Sequence, residues 1–128
     1  MRVGVLETIV AHAREVAPVE CCGVLLGAPG EVVEVVEAVR ARNLADDPNR
    51  FLIDPKDHFN ARRRARTLGL EVVGFYHSHP HSMPDPSPTD LANASYPDHL
   101  YLIVSLAVDP PAMKLFRLGG DGFEEVST

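Results

Sequence analysis

The fourteen residues from His77 to Asp90, HSHPHSMPDPSPTD, hold three histidines, two aspartates and four prolines. The stretch LEVVGFYHSH (70–79) is apolar and runs straight into the first two histidines. On a strand, side chains two apart share a face. His77 and His79 therefore point the same way and Ser78 points away. With Cβ atoms about 6.5–7 Å apart, both rings can reach one ion at roughly 2.0–2.1 Å. Asp90 returns to them from a short helical segment, PTDLANASY (88–96). The prolines at 80, 84, 86 and 88 lower the entropy lost in ordering that return. Two imidazoles, one carboxylate and an open position describe a catalytic zinc site. Iron also accepts two histidines and a carboxylate. Two plainer readings compete. Ser87-Pro88-Thr89-Asp90 has the form of a helix start, in which Asp90 only caps. A set of three histidines would add His81, but Pro80 should break the alternation first.

The rest of the chain supplies elements to hold such a site. VLETIVAHAREVA (5–17) places Leu6, Ile9, Val10, Ala13 and Val16 at helical spacing. VECCGVLLG (19–27) is a short buried strand, Ala28-Pro29-Gly30 a turn, and EVVEVVEAV (31–39) its hairpin partner. A polar loop follows. FLID (51–54) is a further short strand, then Asp54 caps a helix with Pro55 in its first turn, ending at Gly69. LYLIVSLAV (100–108), MKLFRLG (113–119) and an edge at FEEVS (123–127) complete the strands. Strands alternating with helices, with hairpins at both ends, predict an α/β chain with a mixed sheet and helices packed on it, residues 1–128 forming one domain.

Hydrophobic residues make up 45% and charged residues 23% of the chain, so a packed core is expected rather than disorder. The net charge of −6 argues against nucleic acid as the main partner. Adjacent Cys21 and Cys22 cannot staple a secreted scaffold. The start, MRVGVLETIVAHAREV, meets charge too early for a signal peptide, and no apolar run reaches the roughly 18 residues of a membrane span. A cytoplasmic chain is expected, its oligomeric state open, a homodimer included.

His77-Ser78-His79-Pro80 followed by Ser87 and Asp90 resembles the signature of the JAMM (MPN+) zinc metalloproteases, minimal prokaryotic type. Two further segments fit. Glu20 in VECCGVLLG is similar to the glutamate of the family strand E-x-C-G-x-L-x-G, and VVGFYHSHP resembles V-G-W-[YF]-H-[ST]-H-P with Phe75 in place of Trp. The resemblance covers residues 1 to about 108. It implies a curved mixed sheet flanked by helices, a cytidine deaminase-like fold, and zinc on His77, His79 and Asp90. It makes Glu20 the general base and Ser87 the donor to a developing oxyanion. Read alone, Glu20 is a surface carboxylate at a strand start. The implied reaction is hydrolysis after the C-terminal Gly-Gly of a ubiquitin-like or sulfur-carrier protein. The leaving group is a lysine amine or a small amino acid such as cysteine. A non-catalytic scaffold of the same fold would be expected to lack one of these five residues. A nucleoside deaminase would need a PCxxC pair, which is absent.

Overall fold

The computed structural model describes residues 1–127. In chain order its elements are α1 (Val5–Val16), β1 (Cys22–Ala28), β2 (Glu34–Ala41), α2 (Pro55–Thr67), β3 (Glu71–His79), α3 (Pro88–Asn93), β4 (Leu100–Ser105), β5 (Ala112–Gly119) and β6 (Gly122–Val126). The strands form one sheet in the order β2-β1-β3-β4-β5-β6. β3 and β4 run parallel and every other pair is antiparallel, giving the mixed α/β sheet expected. β3 beyond Glu71 and all of β4 are buried. Such uninterrupted apolar runs occur where both faces of a sheet are covered.

Helices cover the two faces. On one side, Val5, Ile9 and Ala13 of α1 meet Leu25, Tyr76, Leu102 and Val104. On the other, Ala61 and Ala65 of α2 meet Val24, Val72, Phe75 and Ile103. α2 starts as its sequence implies: the Asp54 side chain accepts a hydrogen bond from the Lys56 amide at 2.9 Å, and Pro55 opens the first turn.

The alternation read for residues 70–79 is interrupted once. Leu25 faces Gly74 across the β1–β3 ladder, but Leu26 faces Val72, so Val73 is an extra, bulged residue. Val72 and Phe75 consequently join the α2 face, whereas Val73 and Tyr76 join the α1 face. From Phe75 onward the alternation is regular, which puts His77 and His79 on the α2 side and Ser78 on the other.

Several boundaries differ from the sequence reading. FLID makes only one bridge, Ile53 to Asn43, because Asp54 turns to cap α2 and Pro55 has no N–H to extend a ladder. β2 begins at Glu34, leaving residues 29–33 to the turn. β4 stops at Ser105, whose hydroxyl donates to the Ser82 carbonyl at 2.5 Å and accepts from the Ala107 amide at 3.1 Å. α3 stops at Asn93, since Ala94 is already extended. FEEVS does pair, as β6.

Candidate metal centre

Four titratable side chains from three parts of the chain converge at the C-terminal end of β3. One ligand atom from each of Glu20, His77, His79 and Asp90 lies within 4.8 Å of the others. His77 Nε2 and His79 Nε2 are 3.2 Å apart, and Asp90 Oδ2 lies 3.2 Å from the first and 3.1 Å from the second. These three atoms make a nearly equilateral triangle. A tetrahedral ion with bonds of about 2.0 Å has ligand atoms roughly 3.3 Å apart, so the triangle is close to one face of such a tetrahedron. His77 and His79 are 3% and 5% exposed. Glu20 is 6% exposed and its Oε1 has no hydrogen-bond partner among the described residues. A buried carboxylate oxygen without a partner is costly unless its site serves a polar ligand. Nitrogen and carboxylate donors at this spacing, beside that unpartnered oxygen, fit a divalent metal ion.

Each member is held by identifiable contacts. His79 Nδ1 lies 2.8 Å from the Met83 carbonyl. A carbonyl only accepts, so Nδ1 carries a hydrogen, and once Nε2 gives up its own hydrogen its lone pair would be aimed at a metal ion in the cluster. The His77 ring stacks on Phe51, centroids 4.4 Å apart. Asp90 occupies the third position of α3, where its Oδ2 accepts from the Ser87 amide at 2.9 Å. Ser87 Oγ in turn accepts from the Asp90 amide at 3.0 Å. The capping box and the ligand cluster thus share Asp90, and the two readings of Ser87–Asp90 coexist. The loop between His79 and Asp90 is tied down by the Ser105–Ser82 bond, by buried Pro84 and by a 2.7 Å ion pair from Lys114 to Asp85.

The local field separates the groups. Burial pushes the Glu20 carboxyl up to about 7, with Asp90 and Asp47 adding to the rise and His79 opposing it. Burial would also raise Asp90, but hydrogen bonds to His77 and His79 outweigh it and hold its carboxyl well below the usual range. Burial holds the His77 imidazole below its ordinary value. His79 rises despite its own burial, through its bonds to Asp90 and Met83.

The remaining candidates lie elsewhere. His81 is exposed and outside the cluster, which removes the three-histidine alternative. Cys21 and Cys22 are free and buried, and burial pushes their thiols up to about 11 and about 12, so neither is a nucleophile. His12 is buried beneath the sheet, 2.8 Å from the Tyr76 hydroxyl. A cavity of about 650 Å³ opens beside His77 and Asp90, walled by Phe51, Phe75, Tyr96 and Tyr101. Phe51 and the Met83 carbonyl were missed in the sequence. A lone aromatic in a loop and a backbone oxygen carry no periodic signal.

Known proteins resemble this chain over most of its length. The family described as prokaryotic homologs of the JAB domain matches residues 2–119. A protein of Haloferax volcanii named desampylase is 38% identical over 94% of this chain and 88% of its own length. A Mycobacterium tuberculosis protein named CysO-cysteine peptidase is 31% identical over 82% of this chain and 71% of its own length. The solution structure of a protein from Desulfitobacterium hafniense superposes with a TM-score of 0.90 at 35% identity, covering 98% of this chain and 87% of that one.

Proposed function

The chain belongs to the family of prokaryotic JAB-domain proteins, and from that premise we propose that residues 1–128 act as one zinc-dependent hydrolase domain. It cuts after the C-terminal Gly-Gly of a small ubiquitin-like or sulfur-carrier protein. The observation that carries this reading is the convergence of Glu20, His77, His79 and Asp90 within 4.8 Å, beside an aromatic-walled cavity. The similarity to proteins named desampylase and CysO-cysteine peptidase supports the substrate class.

His77, His79 and Asp90 would hold the ion. A bound ion would supply Lewis acidity, making a water more acidic, with a pKa of about 7, and polarising the scissile carbonyl. Glu20 takes the proton from the attacking water and passes it to the leaving amine, as base and then acid. Its buried, unpartnered Oε1 is free for that transfer. Ser87 uses its oxygen as acceptor in the α3 cap, so its hydroxyl hydrogen remains to stabilise the developing oxyanion. A Gly-Gly tail would bring no side chains to clash beside His77 and Asp90, and would lie along a strand.

The partner is a carrier protein, with no role for nucleic acid or a membrane. Among the described residues no helix is long and apolar enough to cross a bilayer. The two free cysteines accord with a reducing cytoplasm. The relative named CysO-cysteine peptidase favours a second form of the reaction, release of a single amino acid from the carrier C-terminus. Only the leaving amine differs. The test offers the zinc-loaded chain two adducts of one carrier, a lysine isopeptide and a C-terminal cysteine. Cleavage of either, directly after Gly-Gly, supports the reading and identifies the leaving group. Inertness toward both in a chain that has bound stoichiometric zinc rejects it.

A further inference from the structure

The peptide unit joining Glu20 to Cys21 lies just before β1 begins at Cys22, where the regular ladder gives out. Side chains hold it at both poles. Its carbonyl, on Glu20, accepts from Asn43 Nδ2 at 3.0 Å. Its N–H, on Cys21, donates to Ser78 Oγ at 2.8 Å. Ser78 is fully buried, and its own amide donates to the Cys21 carbonyl at 3.1 Å.

Neither side chain is casually placed. Ser78 stands between His77 and His79 but faces the opposite side of β3, so whatever it grips is registered against both imidazoles through one stretch of backbone. Asn43 uses its whole amide. Nδ2 also donates to the Arg50 carbonyl at 3.0 Å, while Oδ1 accepts from the Ala45 and Leu52 amides, each at 2.9 Å. Two carbonyls on one end and two N–H groups on the other leave only one amide orientation. Asn43 thereby ties the Glu20 backbone to the loop carrying Phe51, the ring stacked on His77.

We propose that Ser78 and Asn43 are positioning residues that clamp the Glu20–Cys21 peptide and so fix the Glu20 carboxylate against the His77–His79 pair. The inference rests on the reading of Glu20 as the proton-transferring group. Neither residue touches substrate. Each acts through the backbone of Glu20, whose carboxylate makes no hydrogen bond through Oε1 that could place it independently.

The test uses the full chain, zinc as the metal probe, and a ubiquitin-like carrier whose Gly-Gly end is fused to a reporter peptide. Ser78→Ala removes one pole of the clamp. Asn43→Asp keeps the side-chain shape and the Oδ1 acceptor but loses both donors. Each variant binds stoichiometric zinc, keeps KM within about threefold and loses roughly 10–100-fold in kcat, the loss that an ångström-scale displacement of a reacting group produces. In a Glu20→Gln background neither change lowers the residual rate further, because nothing is left to position. Amide exchange at Cys21, followed by NMR in the metal-free chain, quickens by about tenfold or more in Ser78→Ala. Wild-type kcat in both variants, an equal loss in the Glu20→Gln background, or unchanged Cys21 exchange overturns the clamp. If Ser78→Ala does not fold, Asn43→Asp decides by the same rate comparison. A wild-type chain that never cleaves the fusion sinks the hydrolase reading instead, and the Cys21 exchange still judges the clamp.

Discussion

In the proposed hydrolysis Glu20 and Ser87 are given different tasks, and substitutions separate them. Glu20 is a buried carboxylate with one oxygen unclaimed, so its replacement by Gln removes proton transfer together with the cost of burying the charge. Glu20→Gln is expected to keep bound zinc and to melt no lower than the wild type at neutral pH while losing nearly all turnover; full activity in the purified, metal-loaded variant would remove the mechanism. Ser87 caps α3 and has a proposed second task as oxyanion donor, and the magnitudes of the two separate. Losing a serine cap costs about 0.5–2 kcal/mol of stability. Losing one donor to a developing oxyanion costs about 10²–10³ in rate. Ser87→Ala should therefore be slightly less stable and slow without being dead. Ser87→Thr, which keeps the hydroxyl, should recover most of both. A Ser87→Ala enzyme that loses only stability would confine Ser87 to its cap.

At the level of elements, the close contacts within the sheet dictate which substitutions it tolerates. A Cβ on Gly74 would run into the backbone carbonyl of Leu100 on the parallel neighbour β4, and one on Gly23 into the buried ring of Tyr76. Backbone in a central strand cannot move aside as a side-chain tip can. Gly74→Ala should thus cost at least the ~3 kcal/mol upper end of ordinary overpacking, and Gly23→Ala less. Denaturant midpoints would compare them, and equal, small losses would contradict the argument. The same contacts show where sequence reading stops. The strand into His77 and His79, the Asp54–Pro55 helix start and the Ser87–Asp90 cap were legible because each is a local pattern with one physical meaning. The bulge at Val73 was not, because Val72 on one side of it and Phe75 and Tyr76 on the other are all apolar and a slipped residue leaves no mark. FLID has strand composition, yet Asp54 and Pro55 end it. Asn43 sits in ARNLADDPNR, where any polar residue looks like loop, and its four partners are scattered from Glu20 to Leu52.

Taken as a whole molecule, the centre joins residue 20, the pair 77 and 79, and residue 90, three regions that only the folded sheet brings within 4.8 Å. An ion held there binds the folded chain far better than the unfolded one, so its binding free energy becomes folding stability. Free zinc at about one hundred times its dissociation constant adds roughly 2.7 kcal/mol. At about 3–5 °C per kcal/mol for a domain of this size, the melting midpoint should rise by roughly 10 °C over the chelated chain. His77 and His79 alone can hold an ion weakly in the unfolded state, which trims the shift without cancelling it. Asp90→Ala breaks the triangle and the α3 cap together, so its midpoint should be lower in chelator and nearly indifferent to zinc. Because the imidazoles must be unprotonated to bind, the zinc-dependent part of the wild-type shift should shrink as pH falls below the histidine range. Scanning calorimetry of both chains, with chelator and with zinc, reads every term. A wild-type midpoint that ignores zinc, or an Asp90→Ala chain that gains as much from it, would mean that these residues converge for some purpose other than holding an ion.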